Sequence, residues 1–174
     1  MTGALHRAAG VTHAILRIGA GLLFLCHGGQ KLFGWFGGVP GMEGGTVPLV
    51  SQLGLAAVLE LVGGVLLILG LLTRPVAVIL VLEMVAAYVI AHLPRGLLPI
   101  MNDGEPAALY GLIFLFLAGN GAGPFSLDRA RRRGKREVAE EIEELEREAV
   151  RREYRVPSVE ETRLRRPRVR KPPE

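Results

Sequence analysis

The chain holds a single cysteine, Cys26, in 174 residues. An intrachain disulfide, a multi-cysteine zinc site and an iron–sulfur cluster are therefore excluded. Cys26 sits inside an apolar run, where a small buried thiol is the ordinary reading. Leu25 precedes it, and lipoprotein signals want a small residue there. No nucleotide-binding glycine pattern occurs, and no nucleic-acid fold motif accompanies the net charge of +4. Charge is also scarce through most of the chain. Only Arg7, Arg17, Lys31, Arg74 and Arg95 are basic before residue 129, while sixteen Lys and Arg crowd the last 46 residues. The acids divide the same way, with six up to Asp128 and eleven beyond. A run interrupted by Arg17 and continuing into Gly28 and Lys31 offers no small-residue cleavage pattern, so a removable secretory signal is not expected.

What fills the first part is apolar. Four runs stand out, at about 12–33, 49–72, 75–93 and 105–120. A spanning helix needs about 20 mostly apolar residues, which the second run meets and the third approaches. In a soluble protein each run would carry a polar stripe at helical period. The stretches Val65 to Leu69 and Val76 to Leu82 are apolar on all sides, which points to lipid. Small residues within the helices, Gly19, Gly21, Gly28, Gly63 and Gly64 among them, suit close helix packing in a membrane. The expected fold is all-α: an integral membrane four-helix bundle over 1–128, followed by a charged tail over 129–174. In the tail, 135–154 reads as a soluble helix with Val138, Ile142, Leu145 and Ala149 on one stripe. Residues 157–174 read as disordered, being rich in Pro and Arg with little to bury.

Basic residues in short loops set orientation. Arg7, Arg74 and the Arg129–Arg136 cluster fall on one side of a four-helix protein. Lys31, Glu43, Arg95, Asp103 and Glu105 fall on the other. Both termini are therefore expected to be cytoplasmic, in a multi-pass protein of the cell inner (plasma) membrane. Trp35 and Tyr88 fit interfacial anchors.

The chemistry must lie in the ionisable residues within the runs, since such groups are costly in lipid and usually partnered. Depths follow from about 1.5 Å of rise per residue. Arg17 and Glu83 lie in the inner half and Glu60 near the midplane, so Arg17 is expected to form an intramembrane ion pair with Glu83 or Glu60. His27, Lys31 and His92 fall in the outer half, with Asn102 and Glu105 at the outer mouth. A His and a Lys on one face opposed by a His and a carboxylate suit an anion or a quinone carbonyl. His27, Lys31, His92, Asn102 and Glu105 are thus the candidate quinone or proton site. Against it stand plain structural readings: His27 as a hydrogen-bonded packing residue, Lys31 as a helix-end side chain reaching the surface. No two candidate ligands share the i, i+3 or i+4 spacing of helical metal motifs, so no metal is expected.

The chain resembles the DoxX family of small four-helix bacterial membrane proteins. The likeness rests on Arg17-Ile-Gly-Ala-Gly-Leu-Leu-Phe with Cys26-His-Gly-Gly-Gln-Lys-Leu-Phe-Gly34, and on Leu59-Glu-Leu-Val-Gly-Gly running to Gly70-Leu-Leu-Thr-Arg74. It continues with Ala91-His92, Asn102-Asp-Gly-Glu105 and the closing Ser126-Leu-Asp128. It covers about residues 14 to 128. Arg17, His27, Lys31, Glu60, Arg74, His92, Asn102, Glu105 and Asp128 match the pattern; Glu83 and Cys26 are not carried over. The resemblance implies a membrane subunit linked to quinone-dependent oxidoreduction, with a redox enzyme or further copies of itself as partner and no nucleic acid. The chain itself supplies no cofactor, so a redox centre would come from quinone or from the partner. Two alternatives stay open: a non-catalytic anchor docking soluble proteins through the tail, and a small oligomeric transporter. Whether the chain is an enzyme stays open too.

Overall fold

A computed structural model describes residues 2–154, and the stretch expected to be disordered, 157–174, lies outside the described residues. Among the described residues the structure is all-helical. It contains α1 (Thr2–Phe33), α2 (Gln52–Leu69), α3 (Thr73–Ala87), α4 (Glu105–Asn120) and α5 (Leu127–Glu153). A π-helical turn, Tyr88–His92, prolongs α3. Three helical stretches, Gly3–Phe33, Gln52–Leu69 and Thr73–Arg95, are long and apolar enough to cross a membrane. The fourth, α4, is shorter: at 16 residues it is about 24 Å long, a little under the thickness of the hydrocarbon core.

The apolar surface faces outward. Leu23, Leu82, Leu112 and Leu115 are each 58–64% exposed, a distribution that suits lipid and not water. The interior is small but dense. Phe24 on α1 packs edge-on against Phe114 on α4 at 4.7 Å, with Leu67, Leu80 and Leu117 almost fully buried beside them. Backbones meet directly between α1 and α2. A Cβ on Gly28 would stand 2.5 Å from the Leu61 nitrogen, and one on Gly64 would stand 2.7 Å from the Gly21 carbonyl oxygen. Only glycine permits that approach, the usual device for holding membrane helices together where lipid removes the hydrophobic drive.

Helix ends differ from the sequence reading for identifiable reasons. The second helix begins at Gln52 and not 49, because the Ser51 hydroxyl accepts the Gly54 N–H at 2.9 Å as an N-cap. It stops at Leu69 because Gly70 takes the left-handed conformation, φ 64°. The third begins at Thr73, two residues ahead of Pro75. Its cap is supplied from far along the chain: Asp128 Oδ1 and Oδ2 accept the N–H groups of Leu72 and Thr73, both at 2.9 Å. The first extends back to Thr2, past the start of the apolar run at 12.

The chain divides into two units, 1–132 and 133–174. The tail helix starts at Leu127, eight residues before the expected 135, since the Ser126 hydroxyl accepts the Arg129 N–H at 3.3 Å and opens it there. In the second unit, Val138, Ile142 and Leu145 form an exposed stripe. The pairs Arg133–Glu137, Glu143–Arg147 and Glu148–Arg152, each at i, i+4, lie along the helix.

Candidate functional site

At the Arg17 end of the first unit, polar groups tie off helix termini. Arg17 is fully buried. Its Nη1 donates to the Leu67 carbonyl at 2.8 Å and the Ile68 carbonyl at 3.4 Å, and its Nη2 to the Phe125 carbonyl at 2.9 Å. The expected ion pair of Arg17 with Glu83 or Glu60 is therefore not formed. The last carbonyls of α2 have no partners within the helix, and a guanidinium reaches several of them at once. His13 and Arg74 serve α4 likewise, donating to Gly121 and Gly119 carbonyls at 2.9 and 3.2 Å. Asp128 completes the knot, its own N–H donating to the Gly70 carbonyl at 2.9 Å. Two non-glycine residues here, Leu72 and Phe125, hold positive φ of 50° and 56°. The knot holds both through hydrogen bonds to their backbones.

Burial alone would raise the Asp128 carboxyl, but the N–H groups of Thr73 and Leu72, helped by nearby Arg132, hold it below its ordinary value. A depressed carboxyl contributes stability above its unfolded value, and that contribution is lost on acidification through the folded one. Asp128→Ala is expected to destabilise the protein by about 1–2 kcal/mol at neutral pH, the usual worth of an N-cap. The gap from wild type should shrink below about pH 4. Thermal unfolding in detergent across a pH series checks this; a gap independent of pH would refute it.

The opposite end holds the titratable interior. The loop after α1 folds back over the helix end: Val47 N–H donates to the Lys31 carbonyl at 2.9 Å, and Gln30 donates to the Gly38 carbonyl at 3.0 Å. The Trp35 ring lies on Gly29, where a Cβ would stand 2.0 Å from it. Under this roof Lys31 turns inward and not to the surface, and its Nζ donates to Glu60 Oε1 in an ion pair. Glu60 and Glu83 are 4% and 9% exposed. Glu83 lies within Coulombic reach of both Glu60 and Lys31. Its two oxygens, and Oε2 of Glu60, have no hydrogen-bond partner among the described residues. Tyr110 on α4 stands near Glu60 and Cys26. Its ring meets that of His27 edge-on at 6.0 Å, and His27 itself is exposed on the bundle surface.

The five candidate residues do not converge as one group. His92 ends the π-helical turn that prolongs α3, and Asn102 belongs to the α3–α4 loop. The Asn102 side chain donates to the Gly96 carbonyl at 2.6 Å and accepts the Gly104 N–H at 2.8 Å. Its backbone carbonyl meets His92 Nδ1 at 3.0 Å. Both are thereby engaged in shaping the loop. Glu105 is exposed in the first turn of α4, where a carboxylate suits the helix dipole. What the structure gathers instead is Lys31, Glu60 and Glu83, with His27 and Tyr110 alongside. Sequence reasoning did not place Tyr110 in the site, because its polar neighbours come from other helices.

Between α3 and α4 an open apolar groove of about 320 Å³ runs past Val81, Met84, Val85, Tyr88, Gly111 and Leu112. The DoxX family model matches residues 12–93, which carry Arg17, Lys31, Glu60 and Glu83. An uncharacterized protein of Haemophilus influenzae is 42% identical over 118 residues, covering 66% of this chain and 87% of that protein. The chain belongs to the DoxX family. The inner membrane protein YphA of Escherichia coli is 32% identical over 66% of this chain and 86% of its own length. A Bacillus subtilis protein named "Putative oxidoreductase CatD" is 33% identical over 66% of this chain and 82% of its own. No solved structure matches the chain. This DoxX protein is thus a membrane protein whose matched segment contains the buried ionisable residues.

Proposed function

We propose that this DoxX protein is the membrane subunit of a quinone-linked oxidoreductase complex, seated in the inner membrane with both termini cytoplasmic. The observation that carries the reading is the Lys31–Glu60–Glu83 constellation inside a lipid-facing bundle. Ionisable groups are expensive there and are retained mainly where charge or protons are handled. Quinone reduction consumes two electrons and two protons at the ring oxygens, so groups that give and take protons must stand near the headgroup. The residues present fit that need. His27 is exposed on the bundle surface, with the Tyr110 ring against it and Glu60 behind. The α3–α4 groove offers apolar contact to a lipid-soluble tail. A bound quinone would supply the electron-accepting chemistry; the chain's residues would orient its headgroup and hold protons. His92, Asn102 and Glu105 then shape the outer rim and stand apart from the proton-handling group. The name of the Bacillus subtilis relative points in the same direction.

Extraction from native membranes in mild detergent tests the proposal. A redox enzyme or quinone is expected to co-purify in fixed ratio; a clean homo-oligomer carrying neither would overturn it. The exposed stripe Val138, Ile142 and Leu145 favours a second reading, in which the chain only anchors a soluble partner through α5. In that case removing 135–174 releases the partner without touching any bound quinone.

A further inference from the structure

The charges of the interior constellation do not balance. It contains two carboxylates, Glu60 and Glu83, and one ammonium, Lys31, whose Nζ is committed to Glu60 Oε1. The groups facing Glu83 and Glu60 from the neighbouring helices are Lys31 and His27 on α1 and Tyr110 on α4, with Cys26 beside Tyr110. Cysteine and tyrosine add no positive charge. His27 lies within Coulombic reach of Glu60 but is exposed on the bundle surface, outside the buried constellation. Arg17 is spent on the Leu67 and Phe125 carbonyls at the other end of the bundle. One negative charge is left over in a site shielded from water, where an uncompensated carboxylate is strongly disfavoured. Three carboxylate oxygens of this pair, Glu83 Oε1 and Oε2 and Glu60 Oε2, are buried with no donor among the described residues. An ionised carboxylate only accepts hydrogen bonds, whereas a protonated one also donates. A single proton therefore removes the surplus charge and turns one of the orphan oxygens into a donor.

We propose that Glu60 and Glu83 together form a binding site for one exchangeable proton, with Lys31 as the fixed counter-charge. The proton belongs to the carboxylate pair and not to either residue alone. Lys31 sets the number bound: two carboxylates against one ammonium hold one proton. His27 and Tyr110, near Glu60 on the side of the bundle surface, give the route by which it exchanges. The site supplies the proton-holding group that the proposed quinone-linked function needs. It rests on charge balance alone, so it stands or falls without any quinone.

Infrared spectroscopy on the purified full chain in lipid nanodiscs tests this at neutral pH. The readout is the carboxylic-acid carbonyl band, which ionised carboxylates lack, and its shift in deuterated water. Wild type is expected to show one such group per chain. Glu83→Gln and Glu60→Gln should each abolish it, because the remaining carboxylate then balances Lys31. Lys31→Gln should double it. Glu105→Gln, at an exposed carboxyl, should leave it unchanged, as should replacing sodium with a bulky organic cation. Three results would overturn the proposal: no band in wild type, a band that survives both Glu variants, or a band that appears only when sodium is withdrawn. The last would make the site one for an alkali cation. Each Gln variant keeps the site neutral, and Glu83→Gln also leaves the Lys31–Glu60 ion pair in place, so that variant tests the proton without removing a structural contact.

Discussion

Arg17→Ala is expected to destabilise the protein by about 3–5 kcal/mol, through buried carbonyls left short of a donor and the loss of several hydrogen bonds from one charged group. The Ile68 and Phe125 carbonyls lose their donor, and the Leu67 carbonyl is left with only the Gly70 N–H at 3.1 Å. In water such groups would be resolvated, but at the end of a membrane bundle they have little else to bond. The damage spreads, because the same guanidinium fills the space beside Gly70, where a Cβ would come within 2.0 Å of Nη1. Gly70 in turn accepts the Asp128 N–H that holds the start of α5 against α3. Arg17→Lys should recover only part of the loss. An ammonium offers a compact point of charge and lacks the planar fork that spans carbonyls on both α2 and the segment before α5. Thermal unfolding in detergent, with membrane abundance as a second readout, checks both variants. Wild-type stability in Arg17→Ala would show that these hydrogen bonds are replaceable.

Gly28→Val should have a comparable effect by a different route. A Cβ there would lie 2.5 Å from the Leu61 nitrogen and 2.8 Å from the Ala57 carbonyl oxygen. Both are backbone atoms, so no side chain can swing aside and α1 must move away from α2. Overpacking typically costs about 1–3 kcal/mol, and more where backbone must shift; the branched side chain at a backbone-to-backbone contact places this substitution at or above about 3 kcal/mol. Lys31 lies three residues further along α1, so separation of the helices also draws its ammonium off Glu60. The matching control is Gly19→Ala. A Cβ at Gly19 meets nothing within 4 Å, and alanine is the better helix former by about 1 kcal/mol, so that variant should equal or exceed wild type. Equal loss in both variants, measured by unfolding in detergent, would mean that glycine content and not close approach governs stability.

Much of this protein was legible in the sequence. The apolar runs at 12–33, 49–72, 75–93 and 105–120 located the four helices of the bundle, because hydropathy is a local sum over neighbouring residues. Arg17, Lys31, Glu60 and Glu83 stood out because each is expensive in lipid wherever it points. Their partners did not follow from depth. Arg17 was expected to meet Glu83 or Glu60, yet the three carbonyls at its own end of the bundle took its hydrogen bonds. Lys31, at a helix end, could equally have reached the surface. The loop from Gly34 to Val47 folding over that end turned it inward.

Hydropathy and charge, read along the chain, thus determined that the protein is a helical membrane bundle, that its charge is concentrated in the tail, and which interior residues demand an explanation. Tertiary structure alone decided that Asp128 caps a helix starting 55 residues earlier, that His92 and Asn102 build a loop, and that Glu60 and Glu83 face one lysine. The reason is geometric. A one-dimensional pattern fixes how deep a residue sits, but its partner depends on how each helix is rotated about its axis. That rotation is set by contacts such as Gly28 on Leu61, between residues far apart in the chain.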